Sequence, residues 1–138
     1  MISCLYGTCD ENKARNLGGV VLAFVGDAVY SLIVREKLVS EGDYRANELN
    51  SLSAKIVCAE AQSALATKLF TVFTEEETDV FRRARNAKKG TRPKHADVAE
   101  YNNATGLEAV FGYLYLTGNI DRIRYLVSYG EHYDEDRR

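Results

Sequence analysis

The feature that most constrains the fold is a nearly continuous apolar run, residues 20–34, in which Asp27 is the only acid. A helix that is apolar on all sides belongs in a core, and a carboxylate there costs several kcal/mol unless a charge or a metal pairs with it. A second run, residues 105–116, repeats the pattern with Glu108 as its only acid. If the two helices pack together, their carboxyl groups share one pocket. Either one group then takes up a proton or a hard cation lies between them, and we favour the cation.

Length and composition favour one domain. The 138 residues, 46% of them hydrophobic, can build a single core, and one proline with no repetitive stretch gives no sign of a linker. We expect residues 1–16 to form an N-terminal leader without signal-peptide character and residues 17–138 to form the folded domain.

Two further features bear on the compartment. The segment 17–34 approaches the length of a membrane span, but Asp27 and three glycines favour a core helix, so no membrane contact is expected. The three cysteines show no CxxC pairing, which favours free thiols in a reducing cytoplasm.

The apolar spacing predicts an all-α fold of about five helices and no strand. We expect helices over residues 17–39, 46–70, 74–89, 97–116 and 120–132. Thr74 with Glu77 forms a capping-box pattern at the start of the third helix. Gly90 is predicted to end that helix in the left-handed conformation, ahead of Pro93.

Charge is concentrated in one segment. Seven of the eighteen basic residues lie within thirteen residues that contain no acid: Arg82, Arg83, Arg85, Lys88, Lys89, Arg92 and Lys94. The rest of the chain carries eleven basic and twenty acidic residues. Charge runs are usually solvated surface, but a basic helix end and a Gly/Pro loop on an otherwise acidic protein favour contact with a polyanion such as RNA.

Several motifs together resemble a known family. They are Gly26-Asp27-Ala28-Val29, Glu108-Ala109 followed by Gly112, and the loop containing Arg85-Asn86-Ala87-Lys88, Gly90-Thr91 and Pro93-Lys94. Over residues 17–130 the chain is similar to the endonuclease domain of ribonuclease III, and most similar to its Mini-ribonuclease III branch. The larger enzymes carry further acids at positions that are Ala23 and Thr105 here, so two carboxylates remain in place of four, as in the smaller branch.

The resemblance implies a homodimeric, metal-dependent endoribonuclease that hydrolyses double-stranded RNA, leaving a 5′-phosphate and a 3′-hydroxyl, and that matures the large-subunit (23S) ribosomal RNA precursor. Asp27 and Glu108 would be the catalytic residues and the ligands of Mg²⁺, with Mn²⁺ as a substitute. Magnesium suits such a site because it needs only one or two carboxylates beside water and phosphate. Thr105, one turn before Glu108, would help to hold a water, or would equally bond its own helix backbone. The seven basic residues would bind RNA.

Other interpretations remain open. Asp27 and Glu108 are also typical of buried salt bridges with arginines. Two other classes of protein also remain open: an inactive RNA-binding relative, and a helical protein-interaction module whose basic loop meets an acidic partner. Retention of both acids argues against the first, and the family-like loop argues against the second.

Overall fold

A computed structural model describes residues 5–7, 9–90 and 97–136, with side chains as far as residue 133. The described part is all-helical and contains no strand, as predicted. Its seven helices are α1 (Glu11–Asn16), α2 (Gly19–Glu41), α3 (Ala46–Val57), α4 (Ala59–Phe70), α5 (Glu75–Asn86), α6 (Val98–Leu116) and α7 (Ile120–Asp136). Among the described residues, no helix combines the length and the apolar character needed to cross a membrane.

Helix α6 is the centre of the fold, and α2, α4 and α5 pack around it. Its residues 104–114 are buried except for Glu108, which is half-buried. The contact with α2 is the closest, because glycines meet backbone there. A Cβ at Gly26 would collide with the carbonyl oxygen of Glu108, and one at Gly112 would collide with that of Leu22. Because the two backbones touch at these glycines, the turn of α2 that carries Asp27 lies next to the turn of α6 that carries Glu108.

The expectation that α2 is buried on all sides is wrong. One face is buried through Leu22, Tyr30 and Val34, whereas Phe24 is 74% exposed and Asp27 is also exposed. Helix α2 carries more apolar residues than α3, α5 and α6 can cover. Asp27 therefore lies at the edge of the core rather than inside it.

The single helix predicted over residues 46–70 is also wrong. Cys58 is extended, with φ −67° and ψ 156°, and divides the segment into α3 and α4. The break lets α3 pack on α2 while α4 packs on α6. Apolar spacing continues across the break, and neither Gly nor Pro marks it, so the helical period does not reveal it.

The start of α5 agrees with the prediction, but its end does not. Thr74 Oγ1 accepts from the Glu77 amide at 3.1 Å, and Glu77 Oε1 accepts from the Thr74 amide at 3.0 Å. The helix ends at Asn86, three residues early, and among the described residues only Gly7 and Gly118 have positive φ. In place of a left-handed Gly90, the Lys89 ammonium group donates to the carbonyls of Ala84, Arg85 and Ala87 at 3.0, 3.1 and 2.9 Å.

Part of the expected leader is helical. Asp10 caps α1 by accepting from the Asn12 amide at 2.8 Å, and Ala14 is fully buried. Arg15 pairs with Glu76 at 2.7 Å. Helix α1 is thereby attached to α5.

Candidate active site

The structure brings Asp27 and Glu108 together at the crossing of α2 and α6. Both side chains line one cleft, and the Asp27 carboxyl group acts on the pKa of Glu108, although 81 positions separate the two residues in the sequence. The close approach at Gly26 produces this pairing, because Gly26 precedes Asp27 and lies against the Glu108 backbone. Two carboxyl groups therefore share one site, as the isolated acids in the two apolar runs predict.

Glu108 resists ionisation in this arrangement. Burial, followed by the hydrogen bond and the charge repulsion from Asp27, raises the pKa of Glu108 from an ordinary 4.5 to about 8, and a hydrogen bond from Gln62 opposes the shift. Surrounded by protein groups alone, Glu108 therefore favours its protonated form, which corresponds to the first of the two alternatives that the sequence left open.

The donor set fits a hydrated divalent cation. Two carboxylate groups supply the hard oxygen ligands that magnesium prefers, and magnesium retains several waters beside one or two carboxylates. A cation would also relieve the repulsion that raises the Glu108 pKa. The described part of the chain contains no group of three His, Cys, Asp or Glu side chains able to hold a metal, so a site enclosed by protein ligands does not fit.

The carboxyl pair lies in a cleft of about 480 Å³. Its wall includes Tyr101, Thr105, Lys88 and Lys89. The cleft thus places basic groups beside an acidic pair. This arrangement suits a phosphate-containing ligand, because the basic groups attract its phosphates and the acidic pair can hold a cation that binds them.

Thr105 lies on the cleft wall and is buried. Its hydroxyl donates to the Tyr101 carbonyl at 3.0 Å, one turn earlier in α6. This is the backbone bond of a helix-interior threonine. The oxygen keeps acceptor capacity, so any contact it makes to a water would be as an acceptor.

The five basic residues of the segment 82–94 that the structure describes make different contacts. Arg83 donates to the carbonyls of Arg15 at 2.9 Å and Leu17 at 3.3 Å, which ties the N-terminal segment to α5. Lys89 lies on the cleft wall, but its ammonium group already bonds the three carbonyls at the end of α5. Lys88 is exposed at the cleft.

Two other arginines of the basic segment lie over aromatic rings. Arg82 lies 5.7 Å from the centroid of Phe70, and Arg85 lies 5.6 Å from that of Phe81. Arg92 and Lys94 fall outside the described residues.

One polar residue next to the site was missed by sequence reasoning. Gln62, in α4, is buried, its Nε2 donates to the Val57 carbonyl at 2.9 Å, and its amide lowers the pKa of Glu108. It occupies an inward position among the apolar residues Ala59, Leu65 and Leu69, at helical spacing. A single amide on an otherwise apolar helix face was the available signal.

Comparison with known proteins gives consistent matches. Residues 20–119 match the family described as Ribonuclease III domain. The chain is 44% identical to Mini-ribonuclease 3 of Thermoanaerobacter sp. (strain X514) over 79% of this chain and 77% of that protein. It is 42% identical to Mini-ribonuclease 3 of Streptococcus pneumoniae over 82% and 90% of the two chains. The crystal structure of a Fusobacterium nucleatum protein matches with a TM-score of 0.76 and 34% identity, covering 83% of this chain and 93% of that one.

Proposed function

Because the chain belongs to the ribonuclease III family, we propose that it is a metal-dependent endoribonuclease that hydrolyses phosphodiester bonds in double-stranded RNA. The observation that carries this proposal is the pairing of Asp27 with Glu108 in a cleft walled by Lys88 and Lys89. Its basic wall attracts phosphate and its carboxyl pair suits a cation.

Asp27 and Glu108 would hold the ion, Mg²⁺ or Mn²⁺. When bound, the ion polarises the phosphoryl group and lowers the pKa of a water that attacks it. Glu108 must lose its proton to act as a ligand, so its raised pKa makes cation affinity fall as the pH falls below about 8. Lys88 would attract the RNA phosphates to the cleft entrance.

The expected products carry a 5′-phosphate and a 3′-hydroxyl, and the proposed substrate is a duplex in the large-subunit (23S) ribosomal RNA precursor. Two relatives named Mini-ribonuclease 3 support the ribonuclease activity by their similarity, and the product ends and the precursor are what the family resemblance implies. A duplex suits the cleft, since A-form RNA is recognised through phosphates and 2′-hydroxyls more than through bases. A cytoplasmic location is proposed from the unpaired cysteine pattern.

We further propose a homodimer formed through α2. An apolar stripe runs along one exposed face of this helix. Its members recur every four residues and are Val20, Phe24, Ala28 and Leu32. A second copy of this chain would bury that stripe against itself in a two-fold interface. Val20 and Phe24 also line the cleft, so dimerisation would bring two clefts close enough for each to cut one strand of a single duplex.

Incubating the protein with duplex RNA, with and without Mg²⁺, tests the function. Asp27→Asn and Glu108→Gln should stay folded and bind RNA yet fail to cut it, because each amide preserves shape and loses a charged ligand. Glu36→Gln, an exposed acid on the same helix α2 and outside the cleft lining, is the matched control and should cut normally.

Each alternative gives a different result in the same assay. RNA binding by wild type without magnesium-dependent cleavage would identify an inactive relative. Absence of both would identify an interaction module. Full activity in either cleft variant would refute the assigned site.

A further inference from the structure

The end of α5 is closed by the side chain of Lys89. Helix α5 ends at Asn86, and the last carbonyls of a helix have no partner within the helix. The Lys89 ammonium group donates to three of the carbonyls there, those of Ala84, Arg85 and Ala87, at 3.0, 3.1 and 2.9 Å. An ammonium group carries three hydrogens, so these bonds occupy all of its donors.

An RNA phosphate would have to compete with these bonds for Lys89. The residue is partly buried, and burial lowers the pKa of its ammonium group below the ordinary value. Its charge also lies at the negative end of the α5 dipole, which favours the position that it occupies. Lys89 could therefore bind a phosphate only after at least one of the three bonds is broken. Lys88, in contrast, is exposed at the cleft.

The cap also fixes the backbone on both sides of Lys88. Ala87, the residue before it, is held by its amide, which donates to the Ala84 carbonyl at 3.3 Å. Lys89, the residue after it, is held by its own side chain. Lys88, Lys89 and Gly90 all line the cleft. A short stretch of backbone that is anchored at both ends thus presents Lys88 to the cleft.

The same end of α5 packs directly on helix α2. A Cβ at Gly19, the first residue of α2, would lie only 2.5 Å from the Cα atom of Ala84. The next residue, Val20, belongs to the cleft lining. The turn that Lys89 caps is therefore in backbone contact with the helix that carries Asp27, and its position is set relative to the carboxyl pair.

We propose that Lys89 is a positioning residue: its ammonium group caps α5 and holds residues 87–90 so that Lys88, and not Lys89, contacts an RNA phosphate at the cleft. This inference rests on the proposed RNA-cleaving function. The two neighbouring lysines look equivalent in the sequence, but one contacts the phosphate and the other orients that contact. Without the cap, the backbone around Lys88 would lose its anchor, and Lys88 would no longer be held beside the carboxyl pair.

Arginine substitutions distinguish the two roles. Arginine binds phosphate at least as well as lysine, but its planar guanidinium group spreads its donors and cannot direct three of them from one nitrogen onto the three carbonyls. Lys89→Arg and Lys89→Met should therefore both weaken binding to duplex RNA without divalent metal. Each should reduce the log-log salt slope by roughly 0.7 to 0.9, the share of the single contact that Lys88 makes. Lys88→Arg is the matched control and should keep the wild-type affinity and slope, whereas Lys88→Met should show the loss.

Cleavage kinetics separate this role from a general loss of structure. In Lys89→Arg, KM for duplex RNA should rise while kcat stays near the wild-type value, because Asp27 and Glu108 are unchanged, and circular dichroism should show the wild-type helix content. A wild-type salt slope in Lys89→Arg with a reduced slope in Lys89→Met would identify Lys89 as a phosphate contact and overturn the proposal. A wild-type slope in both variants would overturn it as well.

A measurement on the wild type applies if the Lys89 variants do not fold. The side-chain ammonium resonance of Lys89 should be visible by nuclear magnetic resonance, because its hydrogen bonds slow exchange with water. It should keep its position when duplex RNA is added, whereas the Lys88 resonance should respond. A Lys89 ammonium resonance that shifts as far as that of Lys88 would contradict the assigned role.

The possible failures can be told apart. If the wild type binds no duplex RNA, the proposed function and this inference both fall. If the wild type binds and cuts duplex RNA while Lys89 tolerates arginine or its ammonium resonance responds to RNA, only the role of Lys89 is refuted.

Discussion

The carboxyl group of Glu108 opposes folding once it is charged. At pH values below the ordinary pKa of 4.5, Glu108 is protonated in both the folded and the unfolded chain. As the pH rises toward about 8, the unfolded chain releases this proton first, so the folded chain holds one more proton. Stability from this group is therefore complete below pH 4.5 and is lost as the pH rises through about 8, with a slope of at most about 1.4 kcal/mol per pH unit.

Glu108→Gln should remove this dependence, because its amide stays neutral at every pH. Urea unfolding without divalent metal, at about pH 5 and about pH 8, should show the variant gaining stability relative to wild type at the higher pH. Added Mg²⁺ should stabilise wild type at the higher pH by binding the ionised pair. An equal stability difference at both pH values would contradict the assigned burial of Glu108.

At the residue scale, the sequence shows which charged residues stand alone in apolar runs, but it does not show which distant groups a side chain contacts. Asp27 and Glu108 stand alone in apolar runs, and this made their pairing predictable. Arg83 looks like any other cation in a basic segment, since the carbonyls that it binds belong to residues 66 and 68 positions earlier. Gln62 donates to the Val57 carbonyl at 2.9 Å, a contact that depends on the break between α3 and α4 and so has no local sequence pattern.

At the scale of elements, the contact between α2 and α6 sets the geometry of the carboxyl pair. Gly26→Ala and Gly112→Ala should each force the two backbones apart, because the new Cβ would meet a carbonyl oxygen. We expect a loss of stability of at least about 1–3 kcal/mol, together with weaker Mn²⁺ binding, since Asp27 and Glu108 lie on opposite sides of that contact.

Gly18→Ala is the control for these variants. Nothing lies within 4 Å of a Cβ at Gly18, which precedes the same helix. Thermal unfolding and Mn²⁺ titration of the three variants would check the prediction. Wild-type behaviour of Gly26→Ala would show that the two helices are not locked at this distance.

Helix type was predictable, but the break at Cys58 and the end of α5 were not. The period of 3.6 residues and the Thr74 capping box identify elements from local chemistry. Cys58 adopts an extended backbone because α4 must change direction to pack on α6. The end of α5 is set by the Lys89 side chain, whose ammonium group donates to the carbonyls there. Both features arise from packing or from a flexible cation, neither of which has a local sequence pattern.

At the scale of the whole molecule, the exposed apolar stripe on α2 predicts that two copies of the chain associate through this helix. Leu32 is 50% exposed and does not line the cleft. Leu32→Lys should therefore leave the monomer folded and weaken dimerisation by at least about tenfold, since it places a charge in an interface that should bury about 1,200 Å² or more.

Sedimentation at micromolar protein measures this effect. Tyr125→Lys, on α7 with 47% exposure, is the control and should remain dimeric. A wild-type monomer that still cuts both strands would rule out the two-cleft arrangement.

Phosphate binding by the basic segment is separable from the chemistry of the carboxyl pair. Changing Lys88, Arg92 and Lys94 together to alanine should weaken binding to any duplex and reduce the log-log salt slope by roughly 0.7 to 0.9 per lost phosphate contact. Lys89 is left intact, because its ammonium group caps α5 and its loss would mix unfolding with weaker binding.

The matched control changes Lys13, Lys55 and Arg124, three exposed cations outside the cleft lining, and should retain the wild-type slope. Cleavage at saturating RNA and low salt should fall much less than affinity in the basic-segment variant, because Asp27 and Glu108 remain paired. If that variant keeps the wild-type salt slope, the segment is a solvated surface. The phosphate contacts would then have to come from other cations of the chain, with Arg82 on the exposed edge of α5 the first to be tested.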